Sequence, residues 1–162
     1  MDTSKSSTKL LLKIVQDIAD YQFGAGAGEV LFPEECRVET SKKTKRPRYV
    51  YLEDEILATI RYPDNLIALT LAGAKRMANA LRGSIGKVVV KEDAVEKIKR
   101  GMNVTARDLL TSKGDIRPGD EVLVEREDGS LLAVGRASVA SSTMRQLKRG
   151  IIVKIRRAYK NE

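Results

Sequence analysis

Residues 24–28 (GAGAG) have the composition of a phosphate-binding loop. A dinucleotide-binding loop has the pattern G-x-G-x-x-G, follows a strand and opens a helix whose N-terminus binds the phosphates. Here the third glycine comes one residue early, Glu29 stands in its place, and the periodicity predicts a helix before the run and a strand after it. No Gly-Lys-Ser/Thr sequence follows. The run therefore favours a close-packed turn, and we expect no cofactor.

Several carboxylates and two serines have spacings that acid–base or nucleophilic catalysis can use. They are Asp17 and Asp20, Glu34 and Glu35, Glu53 to Glu55, and Ser141 and Ser142. The chain has no histidine, which removes the usual general base near neutral pH. Its single cysteine, Cys36, forms neither an internal disulfide nor a zinc site by itself, and we expect it to be buried. These residues favour a protein that is not an enzyme and holds no metal.

A first group of basic residues, which we call the basic hairpin, lies within residues 41–48. It contains Lys42, Lys43, Lys45, Arg46 and Arg48. Such a run is either a solvated hairpin tip or an arm that follows the phosphates of a nucleic acid. Tyr49 and Tyr51 share one face of the strand that follows, where they either stack on bases or pack against the protein.

A second basic group joins the end of a predicted helix to the last predicted strand. Its residues are Lys97, Lys99, Arg100 and Gly101 at the helix end, and Lys154, Arg156 and Arg157 on the strand. A glycine after a helix lets backbone groups approach phosphates closely. The alternative is that these cations are solvated and only complement the helix dipole. We favour contact with RNA.

The charge of the whole chain points the same way. The chain has 162 residues, 42% of them hydrophobic, and a net charge of +8 with a pI near 9.6. The segment 1–85 has 13 basic and 11 acidic residues, whereas 86–162 has 17 and 11. A pI above about 9 is typical of proteins that bind nucleic acid, although many mixed charges are also typical of thermostable surfaces. With no apolar run long enough for a membrane span and no signal peptide, we expect a cytoplasmic protein.

The pattern along the chain predicts an α+β fold. Residues 1–7 are expected to be disordered, and the helix that follows should bury Leu11, Ile14, Val15 and Ile18. Short strands with period two come next, starting at residue 29, and a helix begins at Leu71. We predict a domain over residues 1–85, a small β-barrel domain over 86–158 and a tail at 159–162, with the junction in GSIG at 83–86.

The second half is identified by its motifs as similar to a known family. The stretches RG at the end of the helix, IRPGDEVLV, LLAVGRA and the closing GIIVKIRR resemble a PUA domain, an RNA-binding module. The first half, with YQFGAGAGEVLF, SKKTKRPRYVY and LIALTLAGAKRM, resembles the domain that precedes the PUA domain in archaeal archaeosine tRNA-guanine transglycosylases. The resemblance implies an α+β pre-PUA domain followed by a PUA β-barrel.

The resemblance also implies which residues contact RNA. In PUA domains the first helix, the glycine after it and nearby strands hold RNA, which selects Lys97, Arg100, Gly101 and Asn103, with Arg156 a weaker candidate. The catalytic barrel and zinc site of the transglycosylase have no counterpart in this sequence.

We therefore expect a non-catalytic protein that binds tRNA along the acceptor-arm helix, in connection with archaeosine formation. One alternative is the tRNA-binding subunit of a split transglycosylase, with a separate catalytic chain as partner. Another is a ribosome-associated protein that binds ribosomal RNA. The hypothesis of an independent enzyme is supported only by the carboxylates.

Overall fold

The computed structural model describes residues 3–80 and 82–160 and divides into two compact units between Ser84 and Ile85. We call them the N-terminal unit and the C-terminal unit. Both combine helices with antiparallel strand pairs, so the prediction of an α+β fold is confirmed.

The N-terminal unit packs three helices with a four-stranded antiparallel meander in the order β1-β2-β3-β4. Its elements in chain order are α1 (Thr3–Phe23), α2 (Ala27–Leu31), β1 (Arg37–Thr40), β2 (Pro47–Leu52), β3 (Glu55–Ile60), β4 (Ile67–Leu69) and α3 (Leu71–Ala78). In such a meander the β1–β2 and β3–β4 loops lie at the same end of the sheet. This places the basic hairpin beside the loop at 61–66.

Two predictions for this unit are wrong. Helix α1 begins at Thr3, so residues 3–7 are helical and not disordered, since no glycine or proline interrupts the pattern; residues 1 and 2 lie outside the described part. The stretch after the glycines is the short helix α2 and not a strand. The three consecutive apolar residues at 30–32 do not distinguish a helix from a strand by periodicity.

The buried face of α1 also differs from the predicted one. Its buried residues are Leu12, Val15, Ala19 and Phe23. Ile14, which was expected inside, has 38% of its surface exposed, and Leu10 and Tyr21 are 61% and 85% exposed. A helix with apolar residues on adjacent faces offers two candidate stripes, and only packing selects one of them.

The C-terminal unit is a curled six-stranded sheet in the order β6-β10-β9-β8-β5-β7, with two short helices. Its elements are β5 (Gly86–Val90), α4 (Val95–Lys99), β6 (Val104–Thr105), β7 (Leu109–Lys113), β8 (Glu121–Glu125), β9 (Leu131–Ala137), α5 (Ser141–Gln146) and β10 (Ile151–Ala158), and a 3-10 turn precedes α4 at Glu92–Ala94. Apolar residues from all these layers, such as Val88, Ile98 and Ile152, form one core.

Strand β10 does not keep the alternation that the sequence suggests. Ile151 is 44% exposed, whereas Ile152 and Val153 are both fully buried. The pairing register shifts between Ile151 and Val153 and again between Ile155 and Arg157. Each such bulge changes which face the following side chains occupy. Beyond the strand, the N–H of Tyr159 donates to the carbonyl of Leu132 (2.9 Å), so the predicted tail continues the sheet at its start.

Candidate nucleic-acid interface

Helix α4 ends in a turn at Gly101, which is exposed to solvent. The N–H of Gly101 donates to the carbonyl of Ile98 (2.9 Å), and the N–H of Met102 donates to the carbonyl of Lys97 (3.1 Å). These are the two bonds of a Schellman motif. Gly101 has φ +86°, and a Cβ there would meet no atom within 4 Å. Conformation, and not lack of space, therefore favours glycine at this accessible position.

An ion pair attaches the end of α4 to the segment that follows it. Lys97 Nζ lies 2.5 Å from Asp108 Oδ2. Thr105 donates to the same oxygen through its N–H and its hydroxyl, both at 2.8 Å. Burial by itself raises the pKa of the Asp108 carboxyl, but these hydrogen bonds outweigh burial and the pKa lies below its usual value. The arrangement holds the loop that carries Gly101.

Arg156 is held by a buried carboxylate on a neighbouring part of the sheet. Its Nη1 and Nη2 lie 2.5 Å and 2.6 Å from the two carboxylate oxygens of Glu121. The Glu121 side chain is 1% exposed, whereas that of Arg156 is 29% exposed. This two-pronged geometry orients a guanidinium more strictly than a single bond does. Arg156 is therefore part of the structure as well as part of the basic surface.

The end of α4 and the end of β10 together line an open groove of about 490 Å³. We call it the basic groove, and its lining residues are Lys99, Arg100, Gly101, Arg156, Arg157, Ala158 and Lys160. Five of these seven residues are basic and none is acidic. In the part of the chain that the structure describes, Lys99, Arg100, Arg157 and Lys160 form no ion pair. Cations in an accessible groove are groups that contact phosphates.

The structure separates the predicted residues of this region by what they contact. Lys99, Arg100, Gly101, Arg156 and Arg157 line the groove. The other three predicted residues do not. Lys97 pairs with Asp108, Asn103 accepts a hydrogen bond from the N–H of Ile155 (3.0 Å), and Lys154 is exposed on β10.

Sequence reasoning missed Lys160, which also lines the groove. It was assigned to the tail, although the apolar-basic run of β10 continues to it without a break. That continuity is the signal that would have found it.

A second open pocket, of about 480 Å³, lies beside the basic hairpin. Lys43, Arg46 and Arg48 line it, whereas Lys42 and Lys45 are exposed outside it. The Tyr49 and Tyr51 rings contact each other edge to face with centroids 6.3 Å apart. Arg48 lies over Tyr49 and Arg37 lies over Tyr51. These two tyrosines are thus packed against the protein's own arginines.

The glycine run forms the close-packed turn that the sequence predicts. A helix does open after it, but the N–H of Gly28 in α2 already donates to Asp20 Oδ1 (2.7 Å). A Cβ on Gly28 would lie 2.2 Å from the carbonyl oxygen of Gln16. The glycine therefore allows α2 to cross α1 closely, and a carboxylate of the protein occupies the position that a phosphate would take.

Other candidates for chemistry have structural partners, since Asp17 pairs with Lys13 (2.8 Å) and the Ser141 hydroxyl accepts a hydrogen bond from the N–H of Ile116 (3.3 Å). Cys36 is 4% exposed, and burial raises the pKa of its thiol to about 11, which disfavours the nucleophilic thiolate. Among the residues the structure describes, no three metal-ligating side chains cluster. Within the same residues, none of the helices has the length and apolar character needed to cross a membrane.

Family models match both units. Residues 13–83 match the patch-forming domain C2 of tRNA-guanine transglycosylase, and residues 86–159 match the PUA domain. The tRNA-guanine(15) transglycosylase of Thermococcus kodakarensis is 40% identical over 145 residues, which are 90% of this chain and 25% of that protein. The tRNA-guanine(15) transglycosylase of Methanothermobacter thermautotrophicus is 37% identical over 143 residues, which are 88% of this chain and 22% of that protein. The chain thus spans about a quarter of these relatives, in their C-terminal region.

Solved structures agree in fold. A hypothetical protein of Pyrococcus horikoshii superposes with a TM-score of 0.73 at 23% identity, over 95% of this chain and 93% of that one. A conserved PUA-domain protein of Thermoplasma acidophilum superposes with a TM-score of 0.66 at 19% identity, over 96% of this chain and 92% of that one. The resemblance recognised in the sequence is confirmed. The chain therefore joins a C2 domain of the tRNA-guanine transglycosylase type, over residues 13–83, to a PUA domain over residues 86–159.

Proposed function

We propose that this chain binds tRNA without catalysing a reaction itself, and that the basic groove contacts the acceptor-arm helix. The observation that carries the proposal is the groove in the PUA domain, which has five basic side chains, no acidic one and a sterically accessible glycine. Duplex RNA is recognised mainly through its shape, phosphates and 2′-hydroxyls, which suits a charged groove with few aromatic residues. The relatives named for tRNA support tRNA over other RNAs.

Replacing Arg100 tests the groove. Arg100→Glu should raise the Kd for a tRNA transcript at least about tenfold, because it removes one cation from the phosphates and adds an anion. The slope of log Kd against log salt should fall by roughly 0.7 to 0.9, the contribution of one phosphate contact. Fluorescence anisotropy across a salt series measures both quantities.

Arg149→Glu is the matched control. Arg149 is exposed and precedes β10, at the opposite end of that strand from Arg157 and Lys160. The variant Arg149→Glu makes the same change of charge outside the groove lining, so its Kd for tRNA should stay near that of the wild type. Equal effects of the two variants would show that only net charge matters and would refute the groove as the site. An isolated acceptor-arm hairpin should compete with whole tRNA, whereas preferential competition by ribosomal RNA would favour the ribosomal alternative.

A second candidate is the tRNA-binding subunit of a split transglycosylase. An exposed apolar stripe on α1 favours it, since Leu10, Ile14 and Tyr21 lie four and eleven residues apart and hence on one side of the helix. Leu10→Asp should abolish co-purification with a catalytic transglycosylase chain and leave tRNA binding unchanged. Failure of the wild-type chain to bind such an enzyme or raise its turnover would exclude this role.

A further inference from the structure

Two loops of the N-terminal unit have the same build and meet at one end of the sheet. In the β1–β2 loop, the N–H of Lys45 donates to Ser41 (2.9 Å), and in the β3–β4 loop the N–H of Asn65 donates to Arg61 (2.9 Å). Lys45 and Asn65 both have φ of 61°. A further hydrogen bond of 2.8 Å closes the base of each loop. These bonds fix the backbone of both loops.

Arg46 connects the two loops. Its guanidinium carbon lies 4.7 Å from the centroid of the Tyr62 ring, within cation–π range. It also donates to the side-chain oxygen of Asn65. Tyr62 is nevertheless 78% exposed. Arg46 therefore covers one face of a ring that remains mostly exposed to solvent.

The pocket beside Tyr62 is rich in cations. Lys43, Arg46, Arg48 and Arg61 line it, and no carboxylate does. Arg61 is paired with Asp64 (3.1 Å), and Arg46 lies against Tyr62. The two other lining cations are Lys43 and Arg48. An open aromatic face next to such cations matches the two parts of a nucleotide, a planar base and a phosphate.

We infer that this pocket binds an unpaired nucleotide of an RNA, with the base stacked on Tyr62 and its phosphate at Lys43 and Arg48. The inference rests on the proposed RNA binding and adds a selectivity to it. Bases inside a duplex are stacked on each other and present no free face, so the pocket selects a loop, a bulge or a single-stranded end. The basic groove, in contrast, needs only phosphates.

Tyr62→Ala tests the stacking with two probes. The probes are a fluorescein-labelled oligouridine and a duplex RNA of similar length. Removing the ring should raise the Kd for oligouridine about fivefold or more, the size expected for one stacked base, and leave the Kd for the duplex unchanged. Tyr62→Phe keeps the ring and should bind as the wild type does. Tyr21→Ala is the matched control, because Tyr21 is 85% exposed in the same unit and lies outside the pocket.

The outcomes separate this inference from the proposed function. If the wild type binds both RNAs and Tyr62→Ala equals Tyr21→Ala, or weakens duplex binding by the same factor, the stacking pocket is refuted and RNA binding stands. If the wild type binds neither RNA, the proposed function fails, and the pocket fails with it. Photocrosslinking of an iodouridine-containing oligouridine should label the peptide that contains Tyr62, and a label confined to other peptides would overturn the inference. Thermal unfolding verifies that the variants fold.

Discussion

Arg156 belongs both to the basic groove and to a buried ion pair. It was selected from the sequence as an RNA contact, and it does line the groove. Its two terminal nitrogens, Nη1 and Nη2, nevertheless donate to Glu121, whose side chain is almost fully buried. A residue that neutralises a buried carboxylate cannot be removed without a cost to the fold.

Arg156→Ala should lower the free energy of unfolding by about 3 kcal/mol, because it leaves the Glu121 charge buried and unpaired. The double variant with Glu121→Gln should recover most of this loss, since it removes the stranded charge as well. Urea denaturation of the four members of the cycle measures the coupling. Additive effects of the two substitutions would contradict a direct interaction.

At the scale of elements, the end of α4 depends on contacts with the segment after it. The left-handed conformation of Gly101 follows from the local sequence, because a glycine after a helix favours that conformation. The partner of Lys97 cannot be predicted in this way, because Asp108 lies in a 3-10 turn (Ala106–Asp108) that the sequence pattern does not show. The predicted RNA contact of Lys97 thus competes with a structural role.

Asp108 should make the stability of the chain sensitive to acid. Its folded-state pKa lies below the ordinary value of 3.8, so its contribution is present above about pH 4 and is lost as the pH falls through the folded-state pKa. Asp108→Asn should lower the stability at neutral pH and reduce the further loss in acid. Urea midpoints from pH 7 down to acid measure both effects.

Asp115→Asn provides the comparison, since Asp115 is an exposed carboxyl of the same unit. An equal change of the acid profile in both variants would contradict the special role of Asp108.

At the scale of the whole molecule, each proposed RNA contact belongs to one unit. All residues of the basic groove lie between 99 and 160, and those of the Tyr62 pocket lie between 41 and 62. The units also have their own cores, with Leu31, Phe32 and Ile67 fully buried in the first and Val88, Ile98 and Ile152 in the second. The two proposed RNA contacts can therefore be tested separately.

A fragment of residues 85–162 should fold cooperatively and bind an acceptor-arm hairpin with a Kd close to that of the whole chain. It should lose the part of the affinity for oligouridine that depends on Tyr62. Circular dichroism and anisotropy test the fold and the binding. A fragment that folds but does not bind the hairpin would contradict the location of the groove.

Local patterns in the sequence determined several features of this protein. They include the α+β fold, the excess of positive charge after residue 86, the buried Cys36 and the left-handed glycine after α4. Each depends on composition, periodicity or the backbone preference of one residue, so neighbours in sequence are enough to predict it. The motifs that resemble known domains added the order of a pre-PUA domain followed by a PUA β-barrel.

Only the tertiary structure decided which residues meet across long distances in the chain. Residues more than thirty positions apart, such as Arg156 and Glu121, pair because the sheet curls and β10 is bulged. Lys160 joins the groove through that strand, and Arg46 reaches Tyr62 because two loops share one end of a meander. Helix α2 replaced a predicted strand for the same reason, since its close crossing with α1 depends on Gly28. Such contacts depend on register and packing, which local periodicity does not specify.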